Sequence, residues 1–226
     1  MKEKIFIYGT GSIANVAYYY FKNESNYEVV AFVDKKIFIK KKKKFNLPVF
    51  EYEKIKKYLP NKFYKGFVAI GYKSLNEERK KIYNQLKKNK YKLVSFVSSH
   101  SRIASNVKIG DNCLILENQI IQPYSKIGNN VTIWCGNIIG HHCKINDNCF
   151  ITSNVVIAGN STIGKSTFIG IKTAIRDGVK IGNECVLFMN SSVGSNMKNK
   201  STSIGELSKI YDFKVKNIQY LRKKYF

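Results

Sequence analysis

His141 and His142 stand side by side in a chain with only three histidines. An imidazole accepts a proton at neutral pH because its ordinary pKa is about 6.5, so either could act as a general base. On spacing alone, an exposed histidine in a turn accounts for the pair at least as well. A second stretch with chemical potential is Gly9-Thr10-Gly11-Ser12-Ile13-Ala14, a G-x-G-x-x-A turn placed between an apolar run and a helical one, with Asp34 further on. Glycines there let the backbone approach a phosphate, the helix start offers free N–H groups, and an acid so placed can bond a ribose. A glycine turn that merely packs helix on sheet is the other reading. Cys135 stands apart from the remaining four cysteines and is a candidate reactive thiol, while no spacing suggests a metal site.

The elements that would carry these residues follow from periodicity. From Ile103 to Val193 a large aliphatic residue returns at every sixth position, sixteen times in register. Six matches neither 3.6 nor 2, so the period signals a hexapeptide solenoid with three hexads to a triangular coil and about five coils. Four places after the aliphatic comes a compact residue, among them Cys113, Cys143, Cys149 and Cys185, and both positions point inward. Glycine often follows the aliphatic, as where a strand leaves a tight corner. His141 lies two places after Ile139, at a corner, and with eighteen residues to a coil it shares a column with Pro123, Gly159 and Asp177.

Before the solenoid, residues 4–8, 27–33, 47–50, 67–71 and 93–97 read as strands. Stretches to about Asn23, from Tyr52 to Tyr58 and from Asn76 to Asn89 read as helices, with Asn76 an N-cap. Lys35–Asn46 reads as a basic loop. This is a small parallel, Rossmann-like α/β domain, too short for a two-halved dinucleotide fold, which weighs against a nicotinamide-dependent oxidoreductase. Residues 204–226 read as an amphipathic helix. The net charge of +24 could serve nucleic acid, anionic membranes or phosphate-bearing small molecules. Lysine with asparagine, isoleucine and tyrosine throughout reflects a general coding bias, and no recognition motif for nucleic acid is present. No apolar run reaches the roughly 20 residues of a bilayer span, and the N-terminus enters a strand directly, so stable membrane insertion is not expected and a cytoplasmic location is.

A βαβ domain followed by hexapeptide coils resembles the sugar acyltransferase family of the sialic acid O-acetyltransferases and the bacillosamine-pathway UDP-amino-sugar N-acetyltransferases. The segments that carry the resemblance are Ile5–Gly9 with Gly11–Ala14, Phe32-Val33-Asp34, Val68–Gly71 with Arg79–Ile82, and Ile138-Ile139-Gly140-His141-His142-Cys143-Lys144-Ile145. The resemblance implies a left-handed parallel β-helix, a homotrimer, acetyl-CoA as co-substrate and no metal. It makes His141 the general base, with His142 in place of the usual Glu or Asp that orients it. Gly9, Gly11, Ser12, Ile13, Ala14, Asp34 and Lys35 would hold a nucleotide-linked sugar. Gly159, Gly170, Ile171 and Met189 would line the CoA groove, Gly159 leaving room for a thin pantetheine arm. Besides His142, two segments depart from the family pattern: the last coil reads Phe188-Met189-Asn190-Ser191, and no proline follows Pro123.

The expected organisation is a nucleotide-sugar domain over residues 1–98, a β-helix over 99–198 and a helical extension over 199–226. The expected function is N-acetylation of a nucleotide-linked amino sugar for surface glycans. O-acetylation of a sialic-acid-like sugar is the near alternative, and the departures from the pattern allow a catalytically silent scaffold.

Overall fold

The computed structural model describes residues 2–206, so the C-terminal helix expected from 204 onward lies almost wholly outside the described residues. In the N-terminal sheet β1 (Glu3–Tyr8) is central, flanked in parallel by β2 (Tyr27–Asp34) and β5 (Lys65–Val68). Its Ile5, Phe6, Ile7 and Tyr8 are all buried because both faces are covered. Ile5 and Ile7 meet Ala14, Ala17 and Phe21 of α1 (Ser12–Glu24), whereas Phe6 and Tyr8 face Ile55 of α2 (Ile55–Tyr58) and Ile82 and Leu86 of α3 (Glu77–Lys88). β4 (Leu47–Glu51) extends the sheet in parallel beyond β2, and β3 (Lys43–Lys44), inside the expected loop, closes the edge antiparallel.

Two expectations fail here for local reasons. Asn76 is the N-cap residue of α3, but its φ of 69° is left-handed and its side chain caps nothing. Its amide instead donates to Ser166 O of the solenoid at 3.3 Å. Residues 93–97 do not form one strand of the first sheet. Leu93 makes a single bridge to Gly66, and then the Phe96 amide donates to Cys113 O, so Phe96–Val97 already pairs within the first coil.

The solenoid is a left-handed parallel β-helix with three faces of stacked two-residue strands, seven, six and five strands deep. The aliphatics from Ile115 to Val193 form one buried column. The compact inward residues do more than fill space: the Ser125 hydroxyl donates to Gly140 O at 2.7 Å and the Cys149 thiol to Gly164 O at 3.1 Å, each bonding the coil above. The corner glycines are explained by crowding rather than by backbone freedom. A Cβ on Gly140 would lie 2.5 Å from Gly159 N, while the left-handed φ falls two places later, at Asn130, His142, Asn148 and their equivalents. Thr202–Ser203, expected at the start of the C-terminal extension, adds a further strand to the seven-stranded face.

Each face has its own outward chemistry. The first carries Leu114, Phe150 and Phe168, and the N-terminal domain covers it. Tyr72 packs edge-on against Phe150 and at a tilt against Phe168. Arg79 is fully buried in this contact, its Nη2 donating to Asn148 O and Cys149 O at 2.9 and 3.0 Å, with its guanidinium 5.4 Å from the Phe150 ring centre. The Arg-Lys segment of the sequence resemblance is thus a strut between domains. The second face presents exposed Ile120, Ile138 and Val156 in line, and the third presents Lys108, Lys126, Lys144 and Lys180.

Candidate active site

His141 sits at the corner between the apolar face and the lysine face, directly after the strand Ile138–Ile139. Its backbone is tied into the stack: the His141 amide donates to Gln122 Oε1 at 3.0 Å, and its carbonyl accepts from the Asn160 amide at 2.8 Å. The ring's Nδ1 lies 3.1 Å from Nδ1 of His142. One of these nitrogens must donate and the other accept. If His141 carries its proton on Nδ1, its Nε2 keeps a free lone pair and His142 is the acceptor. His142 is itself fixed by Tyr124, one coil earlier, whose ring stacks on it at 4.8 Å between centres. A spacing of eighteen residues was the signal that could have found Tyr124.

The other edge of the His141 ring lies over Gly159. The point where a Cβ on Gly159 would sit is 2.7 Å from Cε1, 2.8 Å from Nε2 and 3.0 Å from Asp177 Oδ1. The space that the sequence reading left for a pantetheine arm is therefore taken by the imidazole itself, and Gly159 is buried beneath it. The column predicted from spacing brings a carboxylate beside the imidazole, a neighbour that the sequence reading had placed but given no role.

In the N-terminal domain Gly9, Gly11, Ser12, Ile13, Asp34 and Lys35 come together in one cleft of about 1140 Å³. Ala14 does not line it; it is buried between α1 and the sheet. The Asp34 carboxylate is held at the cleft floor by Thr10 Oγ1 at 2.7 Å and the Lys35 amide at 2.9 Å. Gly9 needs to be glycine, with φ 117° and a Cβ position 2.7 Å from Ala69 O. Gly11 has no such need. Its φ is −79° and a Cβ there would meet nothing within 4 Å, so its small size opens the cleft at the start of α1. No side chain caps α1, which leaves its first N–H groups directed at that opening. Lys40, Lys41, Lys43 and Lys44 of the expected basic loop, with Lys73 and Lys81, complete a basic wall. The signal for the first four was their position, immediately after the strand end that carries Asp34.

The remaining predicted residues do not join either group. Ile171 and Met189 are exposed at the corner on the far side of the apolar face from His141. Gly170 is buried, its Cβ position 2.5 Å from Met189 N, so its small size admits the next coil. Cys135 is half-buried, and burial together with the Glu117 carboxylate pushes its thiol up, the reverse of what a reactive thiolate needs.

The family model described as the PglD N-terminal domain matches residues 4–86, and that described as bacterial transferase hexapeptide (six repeats) matches residues 124–159. The two matches set a PglD-type N-terminal domain ahead of hexapeptide repeats, the order of parts that the sequence resemblance implies. Its fold is similar to that of the acetyltransferase domain of PglB from Neisseria gonorrhoeae FA1090, at a TM-score of 0.81 and 18% identity over 92% of this chain and 100% of that one. It is similar also to a variant of perosamine N-acetyltransferase from Caulobacter crescentus solved with CoA and GDP-perosamine, at 0.79 and 21% over 92% and 97%. WeeI from Acinetobacter baumannii AYE aligns at 0.72 and 20% over 92% and 99%. At these identities the likeness is one of fold.

Proposed function

We propose that the chain is a cytoplasmic acetyltransferase that moves the acetyl group of acetyl-CoA to the amine of a nucleotide-linked sugar destined for surface glycans. The observation that carries this reading is the corner at His141, where an imidazole held through Nδ1 and a carboxylate both lie about 3 Å from one point over Gly159. An amine reaches neutral solution as an ammonium ion. Asp177 attracts that cation, which gives one proton to solvent to free its lone pair, and His141 Nε2 takes a second proton from the nitrogen as it attacks the thioester carbonyl. A C–N bond forms, the C–S bond breaks, and the proton on Nε2 passes to the departing thiolate. A hydroxyl acceptor brings no positive charge for Asp177 to hold, which favours N- over O-acetylation. The role of His142 is to accept from His141 Nδ1, the task an acid performs in the family pattern.

Division of labour by domain follows. The cleft around Gly11 and Asp34 binds the nucleotide, its diphosphate at the start of α1 and its ribose at Asp34. The solenoid holds the thioester. In this reading three chains assemble with the exposed Ile120, Ile138 and Val156 toward a threefold axis. Rotation about that axis sets the His141 corner of one chain beside the Ile171 and Met189 corner of the next. The apolar side chains at that second corner suit a slender pantetheine arm. The neighbours from Caulobacter crescentus and Neisseria gonorrhoeae, solved with CoA and with acetyl-CoA, support the co-substrate.

The test is turnover of GDP-, UDP- and dTDP-linked amino sugars with acetyl-CoA, followed by thiol release and mass spectrometry. His141→Ala should lose about 10²–10⁴-fold in kcat, and Asp177→Asn should raise the KM for the amino sugar more than it lowers kcat. Absence of thiol release across the panel, or full turnover by His141→Ala, refutes the proposal.

A further inference from the structure

Residues 35–44 read K-K-I-F-I-K-K-K-K-K, seven lysines in ten positions without an acid. Most of these line the sugar-nucleotide cleft, but Lys36, Ile37, Ile39 and Lys42 do not. Lys36–Phe38 is one tight turn, closed by the Phe38 amide on Lys35 O at 2.9 Å and the Ile39 amide on Lys36 O at 3.2 Å. That ordered turn holds Ile37 80% exposed, the most exposed large apolar side chain among the described residues. A solvated loop has no use for an isoleucine at its tip, and the cleft does not use it either. An apolar tip within a collar of ammonium groups matches the boundary of an anionic bilayer, where headgroup phosphates lie a few ångströms outside the acyl chains.

We propose that this turn docks the protein on an anionic phospholipid surface, with Ile37 entering the headgroup boundary and Lys36 and Lys42 on the lipid phosphates. The contact is peripheral and leaves the chain on the membrane, not across it; no described helix is long and apolar enough to span one. A single-stranded nucleic acid would meet the same charge, but the one aromatic ring of the turn, Phe38, belongs to the cleft lining, and the isoleucine at the tip has no π-face on which a base can stack. The proposal does not depend on acyl transfer and can fail or hold independently of it.

The experiment is co-sedimentation of the full chain with vesicles of phosphatidylcholine alone or with about one-third phosphatidylglycerol, at low and high salt. Binding is expected only to the anionic vesicles and should weaken with salt. Lys36→Ser with Lys42→Ser should lower the partition coefficient roughly twenty-fivefold, at about fivefold per lysine. Ile37→Ser, which changes no charge, should lower it about tenfold. All three positions are exposed, so an unchanged melting temperature and unchanged acetyl transfer should accompany the loss. Vesicle binding by Ile37→Ser equal to that of the parent would assign the effect to the overall charge and overturn the proposal. Release by UDP or inorganic phosphate at matched ionic strength would assign the lysines to the cleft and overturn it too. So would oligonucleotide binding that these variants abolish while vesicles are never bound.

Discussion

Gly159→Ala isolates the position of the His141 ring from the stability of the coil. The added methyl carbon would lie 2.7 Å from Cε1, 2.8 Å from Nε2 and 3.0 Å from Asp177 Oδ1. Carbon contacts settle at about 3.5–4.0 Å, so the ring must retreat by about 1 Å. Gly159 has no positive φ, so alanine fits its backbone, and the atoms it strikes are the exposed ends of side chains that can swing away. Stability should therefore change by no more than about 0.5 kcal/mol. The retreat pulls Nδ1 from its 3.1 Å contact with His142 and moves Nε2 from beside Asp177. A displacement of that size costs about 10²-fold in rate. The assay is thiol release from acetyl-CoA alongside a thermal melt: kcat should fall about a hundredfold with the melting temperature held. Gly140→Ala is the contrasting case, since its Cβ would strike the Gly159 backbone at 2.5 Å and should destabilise the stack itself. Parental turnover by Gly159→Ala at an unchanged melting temperature would show that the ring does not work from this position. A collapse of the melting temperature would show that Gly159 is needed for stacking.

Subunit mixing tests the shared site. His141→Ala and Ile171→Glu chains, each inactive alone, should together recover about a quarter of parental activity, because one junction in four in random trimers pairs an intact His141 with an intact Ile171. No recovery after verified exchange would place both residues on one chain's site. Arg79 tests the domain contact by thermal unfolding. Burial pushes its guanidinium down to about 10, a folded pKa below the unfolded one, so its penalty on folding is full at neutral pH and would lift only above the folded value. Its Nε and Nη1 have no partner among the described residues. Arg79→Ala should cost about 3 kcal/mol through the void it leaves, and Arg79→Met distinctly less, since it fills the volume without burying a charge. Equal losses would show that the bonds to Asn148 and Cys149 matter more than the volume.

The hexads made the prism legible because an inward aliphatic at every sixth place has no other economical geometry. Ile103 to Val193 all fall in strands at their expected positions. What failed was the reason assigned to particular residues. The corner glycines looked like sites of unusual φ, yet contact with the next coil explains them, and contacts between coils are not visible in a single hexad. Asn76 carried a good cap signal, but the Ser166 carbonyl ninety residues away competes for its amide. Arg79 stood out only as part of a segment shared with the family, with no role attached; docking of α3 on Phe150 is what distinguishes it from Lys80. In the site, the vertical column through His141 was readable from arithmetic alone. The lysine wall of the cleft was not, because composition made every lysine look like bulk charge.

The three faces limit where chemistry can occur on such a solid. Inward positions are closed by the aliphatic column, the first face by the N-terminal domain, and the lysine face is flat and repels its own charges at about 4.8 Å spacing. Only corners combine exposure with a rigid backbone, since each corner amide is bonded to the coil beside it, as at His142 N to Pro123 O. Of the three corner columns, one carries the Tyr124, His142 and His141 rings with Asp177 in mutual reach. A second carries exposed Ile171 and Met189, and its one histidine, His100, stands four coils away in the first coil. An acyl transfer needs both a proton acceptor and an apolar seat for the acyl carrier, and these lie on opposite margins of the one face whose outward residues are apolar and uncovered within the chain. In the trimer proposed above, burying that face between copies would remove it from water and close the distance between the two margins in a single step.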